Sequence, residues 1–65
     1  MYKRLKDLRE DNDLTQKKVA DILGISQTTY SRYENGILDI PSKVLIQLAK
    51  FYNVSIDFLL ELYED

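Results

Sequence analysis

Four polar residues in the middle of the chain recur at the spacing of one helix face. They are Gln27, Thr28, Ser31 and Arg32, which at about 100° per residue share one arc of a helix. A glutamine can bond adenine N6 and N7 together, an arginine can bond guanine O6 and N7, and a threonine can contact a thymine methyl. This arc therefore has the chemistry needed to read base edges in the major groove of DNA.

The opposite side of the same segment carries two aromatic residues. Tyr30 and Tyr33 lie across the helix from the polar arc at about 100° per residue, which predicts that they anchor it in a core. A tyrosine hydroxyl needs a partner or water, so we expect each tip to reach toward the surface. A helix face that only contacts solvent would carry similar polar residues. The segment that precedes this helix decides between a solvated face and a base-reading face.

That preceding segment reads as a second short helix that ends in a tight break. Val19 and Leu23 recur at helical spacing, and Thr15 stands where its hydroxyl can cap the first free amides. Gly24 ends the segment because glycine adopts positive φ without a Cβ clash. Ser26 then offers a cap for the next helix. A helix, a turn of a few residues and another helix form a helix-turn-helix unit, which favours base reading.

The pattern over nearly the whole chain resembles the phage Cro/repressor-type helix-turn-helix family, often called XRE. The residues that carry this resemblance are Leu14-Thr15-Gln16, Val19-Ala20, Leu23-Gly24-Ile25-Ser26, Tyr30, Tyr33-Glu34-Asn35-Gly36, Pro41, Leu45, Leu48-Ala49, Val54-Ser55 and Leu59-Leu60. It implies one all-α, lambda-repressor-like DNA-binding domain over 1–65. The helix-turn-helix unit is expected at 15–36, and the five helices at about 2–12, 15–23, 26–34, 41–52 and 55–63.

The resemblance also assigns roles to individual residues. Gln27, Thr28 and Arg32 match base-contacting positions, and Ser31 matches a position that contacts bases or backbone. Arg9 and Glu34 are expected to form a structural salt bridge that ties the first helix to the end of the third.

Contacts to DNA phosphates are expected from a second set of residues, namely Gln16, Lys17, Asn35 and Lys43. Gln16 stands at the first turn of the second helix, where free N–H groups and partial positive charge favour a phosphate. A solvated glutamine is the alternative there, and Lys17 can equally serve only solubility.

The loop after the third helix departs from the family. Members often carry Lys or Arg here, whereas this chain has Ile37, Leu38, Asp39 and Ile40. Phosphate contacts from this loop are therefore expected only from backbone amides and from the nearby Ser42 and Lys43. Ile40 is expected in the core. Ile37 and Leu38 either cap the fold or belong to a protein contact, and we favour the contact.

The C-terminal part of the chain holds more apolar residues than five small helices need to bury. Ile56, Leu59 and Leu60 are expected to complete the core. The surplus, which is Phe51, Phe58, Leu62 and Tyr63, predicts an association surface. The family commonly forms a two-fold dimer here, so we expect a homodimer. Packing or fraying on the monomer is the alternative.

Size and composition exclude several classes of function. A chain of 65 residues leaves room for one core and no deep catalytic cleft. It has no cysteine and no histidine, so thiolate metal sites and histidine-based nucleophile pairs are absent. We expect no enzyme activity, cofactor, metal or small-molecule substrate. No signal peptide or long apolar run is present, which is compatible with a cytoplasmic location.

The charge distribution is less unfavourable for DNA binding than the net charge of −2 indicates. Residues 1–52 hold nine basic and seven acidic side chains, for +2, whereas residues 53–65 hold four acidic and no basic ones. DNA binding requires locally positive potential rather than a basic chain.

The sequence thus predicts a sequence-specific double-stranded DNA-binding transcriptional regulator, which represses by occupying an operator. The alternative is a small protein-interaction module, such as an antitoxin or adaptor, on the same fold. In that case the exposed apolar residues would form the working surface.

Overall fold

The chain folds into five helices in a computed structural model that describes the backbone of residues 3–61 and the side chains of residues 5–59. The helices are α1 (Lys3–Asp11), α2 (Gln16–Leu23), α3 (Gln27–Glu34), α4 (Ser42–Tyr52) and α5 (Ile56–Glu61), and residues 3–61 contain no strand. The predicted all-α, five-helix fold is confirmed. The expected positions of Leu62 and Tyr63, and the side chain of Leu60, lie outside the described residues.

The break between α2 and α3 has the predicted capping chemistry. The Thr15 hydroxyl accepts a hydrogen bond from the Lys18 amide at 3.0 Å, and the Ser26 hydroxyl accepts one from the Thr29 amide at 3.1 Å. Gly24 is left-handed, with φ 74°. No atom would crowd a Cβ there, so its backbone conformation alone favours glycine. Three residues therefore reverse the chain and bring two helix ends together.

The remaining helix ends are also defined locally. α4 begins at Ser42, one residue later than expected, because Pro41 has an extended ψ of 152° and its carbonyl accepts the first helical bond, from Leu45. Asn53 ends α4 in a left-handed conformation, with φ 57°. The Ser55 hydroxyl caps α5 by accepting from the Phe58 amide at 2.9 Å. These caps fix the positions of α4 and α5 relative to the chain between them.

One core, built from all five helices and from the loop before α4, lies behind α3. Its buried members are Leu5, Val19, Ala20, Leu23, Tyr30, Tyr33, Ile40, Val44, Leu48, Ala49 and Leu59. Leu8, Leu14, Ile25, Leu45, Tyr52, Val54 and Phe58 pack against it. The inward positions of Tyr30, Tyr33 and Ile40 confirm the prediction from the sequence. α3 is thus held from behind along its length.

Two expectations about burial are wrong. Ile56 is 37% exposed rather than part of the core, because it is the first residue of α5, and Leu59, almost one turn later, fills the core instead. Tyr30 is fully buried, hydroxyl included, so its tip does not approach the surface. The Tyr33 residue is buried in the core, at 6% exposure, and the position of its hydroxyl stays a prediction.

Candidate nucleic-acid interface

The outer face of α3 carries the four residues predicted to read bases. Gln27, Thr28 and Arg32 are exposed, and Ser31 is half-buried. The helix begins at Gln27 directly after its Ser26 cap, so Gln27 and Thr28 project from its first turn. The structure therefore brings this quartet together on one accessible face, opposite the buried tyrosines.

An open concavity of about 370 Å³ runs along this face. Its lining combines the quartet with residues from the start of α2 and from the end of α3, namely Gln16, Gln27, Thr28, Ser31, Arg32, Asn35 and Ile37. Most of these side chains carry hydrogen-bonding groups. The surface is thus concave, largely polar and assembled from both helices of the helix-turn-helix unit.

A buried ion pair lies behind the concavity and forms as predicted. Arg9 Nε donates to Glu34 Oε2 at 2.7 Å, and Arg9 Nη2 donates to Glu34 Oε1 at 3.3 Å. The third contact of the guanidinium is Nη1 donating to the Leu14 carbonyl at 2.9 Å. The Arg9 and Glu34 side chains are only 10% and 2% exposed. This two-bond geometry is directional and ties α1 to the last residue of α3.

Gln16 extends the ion pair to the start of α2. Its Nε2 donates to Glu34 Oε1 at 3.0 Å, and its side chain is half-buried. An amide nitrogen has two hydrogens, so the second can still serve a phosphate in front of α2. Arg9, Gln16 and Glu34 therefore connect three helices through one carboxylate, a link that the sequence did not predict for Gln16.

The protonation behaviour of Glu34 follows from these contacts. Burial by itself raises the pKa of the Glu34 carboxyl, but its polar neighbours, chiefly Arg9 and then Tyr30 and Gln16, outweigh burial and lower that pKa below its ordinary value. The hydrogen bond to Glu34 in turn raises the pKa of Arg9. Both groups are thus held in their charged forms inside the fold.

Two tyrosine hydroxyls lie close to the same carboxylate. Burial raises the pKa of Tyr52 to about 12 and raises that of Tyr30 further, with Glu34 adding to both shifts. Among the described residues, neither hydroxyl meets hydrogen-bond geometry with a protein partner. Arg9 and Gln16 therefore make the hydrogen bonds to Glu34, and the nearby Tyr30 hydroxyl also helps to lower its pKa.

The other residues predicted to contact phosphates are distributed around the concavity. Asn35 lines it, and its Nδ2 donates to Ser31 Oγ at 3.4 Å. Lys17 is exposed and pairs with Asp21 at 3.4 Å, while Lys43 is exposed at the start of α4. Neither lysine lines the concavity.

The loop after α3 leaves fewer backbone amides for phosphates than expected. The amides of Asn35 and Gly36 donate to the carbonyls of Ser31 and Tyr33. Those of Ile37 and Leu38 both donate to the Arg32 carbonyl, at 2.9 and 3.3 Å. These four amides satisfy the end of α3 and are therefore not available for DNA phosphates.

The predicted association surface is only partly described. Phe51 is 41% exposed and packs edge-to-face on Tyr52, with ring centroids 4.9 Å apart. Phe58 is half-buried against the core. Leu62 and Tyr63 lie outside the described residues.

Among residues 5–59, whose side chains the structure describes, no group of acidic side chains is arranged to hold a metal ion. No helix within residues 3–61 is long and apolar enough to span a bilayer.

Comparisons with known proteins agree with this geometry. A family model described as helix-turn-helix matches residues 5–59. An uncharacterized HTH-type transcriptional regulator of Bacillus subtilis, YobD, is 38% identical over 66 residues, which cover 100% of this chain and 59% of the relative. The cryptic phage CTXphi transcriptional repressor RstR of Vibrio cholerae is 40% identical, over 82% of this chain and 48% of its own length.

A third relative carries a different name. Antitoxin PezA of Streptococcus pneumoniae is 42% identical over 82% of this chain but only 34% of its own length. The chain thus spans between about a third and three fifths of these curated relatives. No solved structure matches the chain.

Proposed function

The chain belongs to the Cro/repressor-type helix-turn-helix family, and on that premise we propose that it regulates transcription by binding a specific double-stranded DNA operator. The outer face of α3 would enter the major groove. Repression by occlusion is the simplest mechanism, since an occupied operator excludes polymerase or an activator. A cytoplasmic location fits a protein that must reach its DNA.

The observation that carries this proposal is the division of α3 into two faces. Gln27, Thr28 and Arg32 are accessible together, while Tyr30 and Tyr33 fix the helix from behind. Base-specific hydrogen bonds need side chains held at a defined angle to the groove. The Arg9–Glu34 pair, which anchors the last residue of α3 to α1, would hold that angle.

Phosphate contacts would flank the base-reading face. Gln16 stands at the N-terminus of α2, where the free N–H groups and the helix dipole favour a phosphate. Asn35 also lines the concavity. Lys17 and Lys43 would add charge from outside the concavity. Together these residues would position the domain on the duplex without reading its sequence.

We assign the working unit as a homodimer whose two copies of α3 enter successive major grooves, roughly 34 Å apart. Phe51 would form part of the shared surface with Phe58, Leu62 and Tyr63. Phe51 and Ile22 are matched in exposure, at 41% and 40%. In sedimentation equilibrium, Phe51→Ser should weaken dimerisation, and Ile22→Ser should not. If the two variants weakened dimerisation equally, or if neither did, Phe51 would not belong to the dimer surface.

The function is tested by selection of binding sites from a random duplex library at a stated salt concentration. An enriched sequence with two related half-sites is expected. A salt titration on that sequence should give a log–log slope of about −0.9 for each phosphate neutralised. Absence of any enriched sequence, together with a flat salt dependence of binding to random duplex DNA, would refute DNA reading.

The alternative function is a protein-interaction module, and two observations favour it. A relative is named as an antitoxin, and Ile37 and Leu38 are exposed beside α3. A chain that binds a protein through this face and no DNA at low salt would support this alternative. The selection experiment therefore separates the two functions directly.

A further inference from the structure

Ile37 is the most exposed large apolar side chain among residues 5–59, at 68%. It follows Gly36, whose φ of 73° turns the chain at the end of α3. An isolated exposed isoleucine is ordinary on a protein surface. The position of this one is not ordinary, because it lines the concavity together with the proposed base-reading residues.

The backbone around Ile37 is fixed to the base-reading helix. Its amide donates to the Arg32 carbonyl at 2.9 Å, and the Leu38 amide donates to the same oxygen at 3.3 Å. Any DNA pose that places Arg32 against a base therefore brings Ile37 close to the same groove. Ile37 would move with α3 rather than with a separate loop.

The chemistry of this position excludes a phosphate contact. An aliphatic side chain has no hydrogen-bond donor, and the amides of residues 35–38 are engaged within the chain. In the major groove the apolar group that distinguishes one base pair from another is the C5-methyl of thymine. Deoxyribose carbons are the other apolar groups within reach, but they carry no sequence information.

We infer that Ile37 is a specificity-determining residue that contacts the C5-methyl group of a thymine beside the base read by Arg32. This inference rests on the proposed DNA-binding function and deepens it. Ile37 thus takes the place of a charged phosphate contact in this loop and adds a preference for thymine at one position of each half-site.

The test removes the thymine methyl without changing any hydrogen bond. Each thymine of the selected operator is replaced in turn by deoxyuridine, and dissociation constants are measured for the wild type and for Ile37→Ala. Burial of one methyl group corresponds to about a fourfold change in affinity. The wild type should lose about that factor at one thymine of each half-site.

Ile37→Ala should bind the unmodified operator about fourfold more weakly or worse, and it should show no further loss at that thymine. Leu38→Ala is the matched control, because Leu38 is 39% exposed and donates to the same carbonyl but does not line the concavity. It should keep the wild-type response to deoxyuridine. Thermal unfolding should show that both variants remain folded.

Several results would overturn the inference while leaving DNA binding intact. The first is an Ile37→Ala variant that loses affinity on deoxyuridine substitution as the wild type does. The second is an Ile37→Ala variant that binds the unmodified operator as tightly as the wild type. The third is a selected operator whose half-sites contain no thymine. Equal weakening on every sequence would indicate a sugar contact instead. Failure to select any operator would refute the proposed function itself, and the inference with it.

Discussion

The two faces of α3 differ in what surrounds them and therefore in what a substitution there should change. On the inner face, Tyr30 and Tyr33 are buried, and Glu34 is 5% exposed. On the outer face, Gln27 and Arg32 are accessible to solvent. Eight residues thus combine a structural anchor with a binding surface. Changes on the inner face should reduce folding stability, and changes on the outer face should reduce DNA binding.

The largest effect is expected from Glu34→Ala. It leaves Arg9 buried without its carboxylate, and removal of one partner of a buried pair typically costs about 3–5 kcal/mol. Asp21→Ala is the matched control, because it breaks the Lys17–Asp21 pair, whose side chains are 73% and 62% exposed. That change should cost less than about 1 kcal/mol. Urea denaturation measures both, and equal losses would show that burial does not distinguish the two pairs.

A change on the outer face should give the reverse pattern. Arg32→Ala should weaken operator binding by about 1–3 kcal/mol at one base position, while its free energy of unfolding stays within about 0.5 kcal/mol of the wild type. Lys6→Ala, an exposed residue of α1, removes the same charge at a position that belongs neither to the concavity nor to the proposed dimer surface, and serves as the control. A large loss of stability in Arg32→Ala would contradict the division into two faces.

Acid should weaken the inner face specifically. The pKa of Glu34 is lowered in the folded state from its usual value of 4.5. The unfolded chain therefore takes up this proton first as the pH falls. Its contribution to stability is complete above about pH 4.5 and is lost as the pH falls toward the folded pKa.

Urea denaturation at a series of pH values measures this loss. The Glu34→Gln variant lacks the carboxyl, so its stability should fall less steeply below pH 4.5. Parallel pH profiles for the variant and the wild type would show that Glu34 does not contribute to acid sensitivity.

The smallest effect is expected from Tyr30→Phe. The hydroxyl does not reach hydrogen-bond geometry with any described residue, so its removal takes away only its electrostatic contact with Glu34 and avoids the burial of a polar group. The free energy of unfolding should change by no more than about 1 kcal/mol. A loss of twice that amount in thermal or urea unfolding would reveal a hydrogen bond to this hydroxyl.

Features that depend on local chemistry could be predicted from the sequence. The caps at Thr15, Ser26 and Ser55 and the left-handed Gly24 each depend on the preferences of one residue and its immediate neighbours. The Arg9–Glu34 pair came from the family resemblance, and the fold brings it together at 2.7 Å.

Features that depend on the packing of distant segments could not be predicted. Gln16 and Glu34 are 18 residues apart, and nothing in the sequence indicates that the start of α2 meets the end of α3 through their side chains. The sequence likewise did not predict that Ile37 lines the concavity. Its position depends on the turn at Gly36 and on the hydrogen bond from its amide to the Arg32 carbonyl. The burial of the Tyr30 hydroxyl likewise depends on how other helices cover α3.

The roles of the base-reading and phosphate-contacting residues remain predictions. The structure gathers Gln27, Thr28, Ser31 and Arg32 on one accessible face, which is a necessary condition for reading bases. The bases themselves depend on the docking angle and on how the DNA deforms, and neither follows from the chain alone.

The most direct test of the central claim is an NMR titration of the isotopically labelled chain with the selected operator. Backbone and side-chain amide shifts should change most at Gln16, Gln27, Thr28, Ser31, Arg32 and Ile37, and they should change little for Lys50 on α4. Shifts concentrated on α4 and α5, with the outer face of α3 unchanged, would contradict the account.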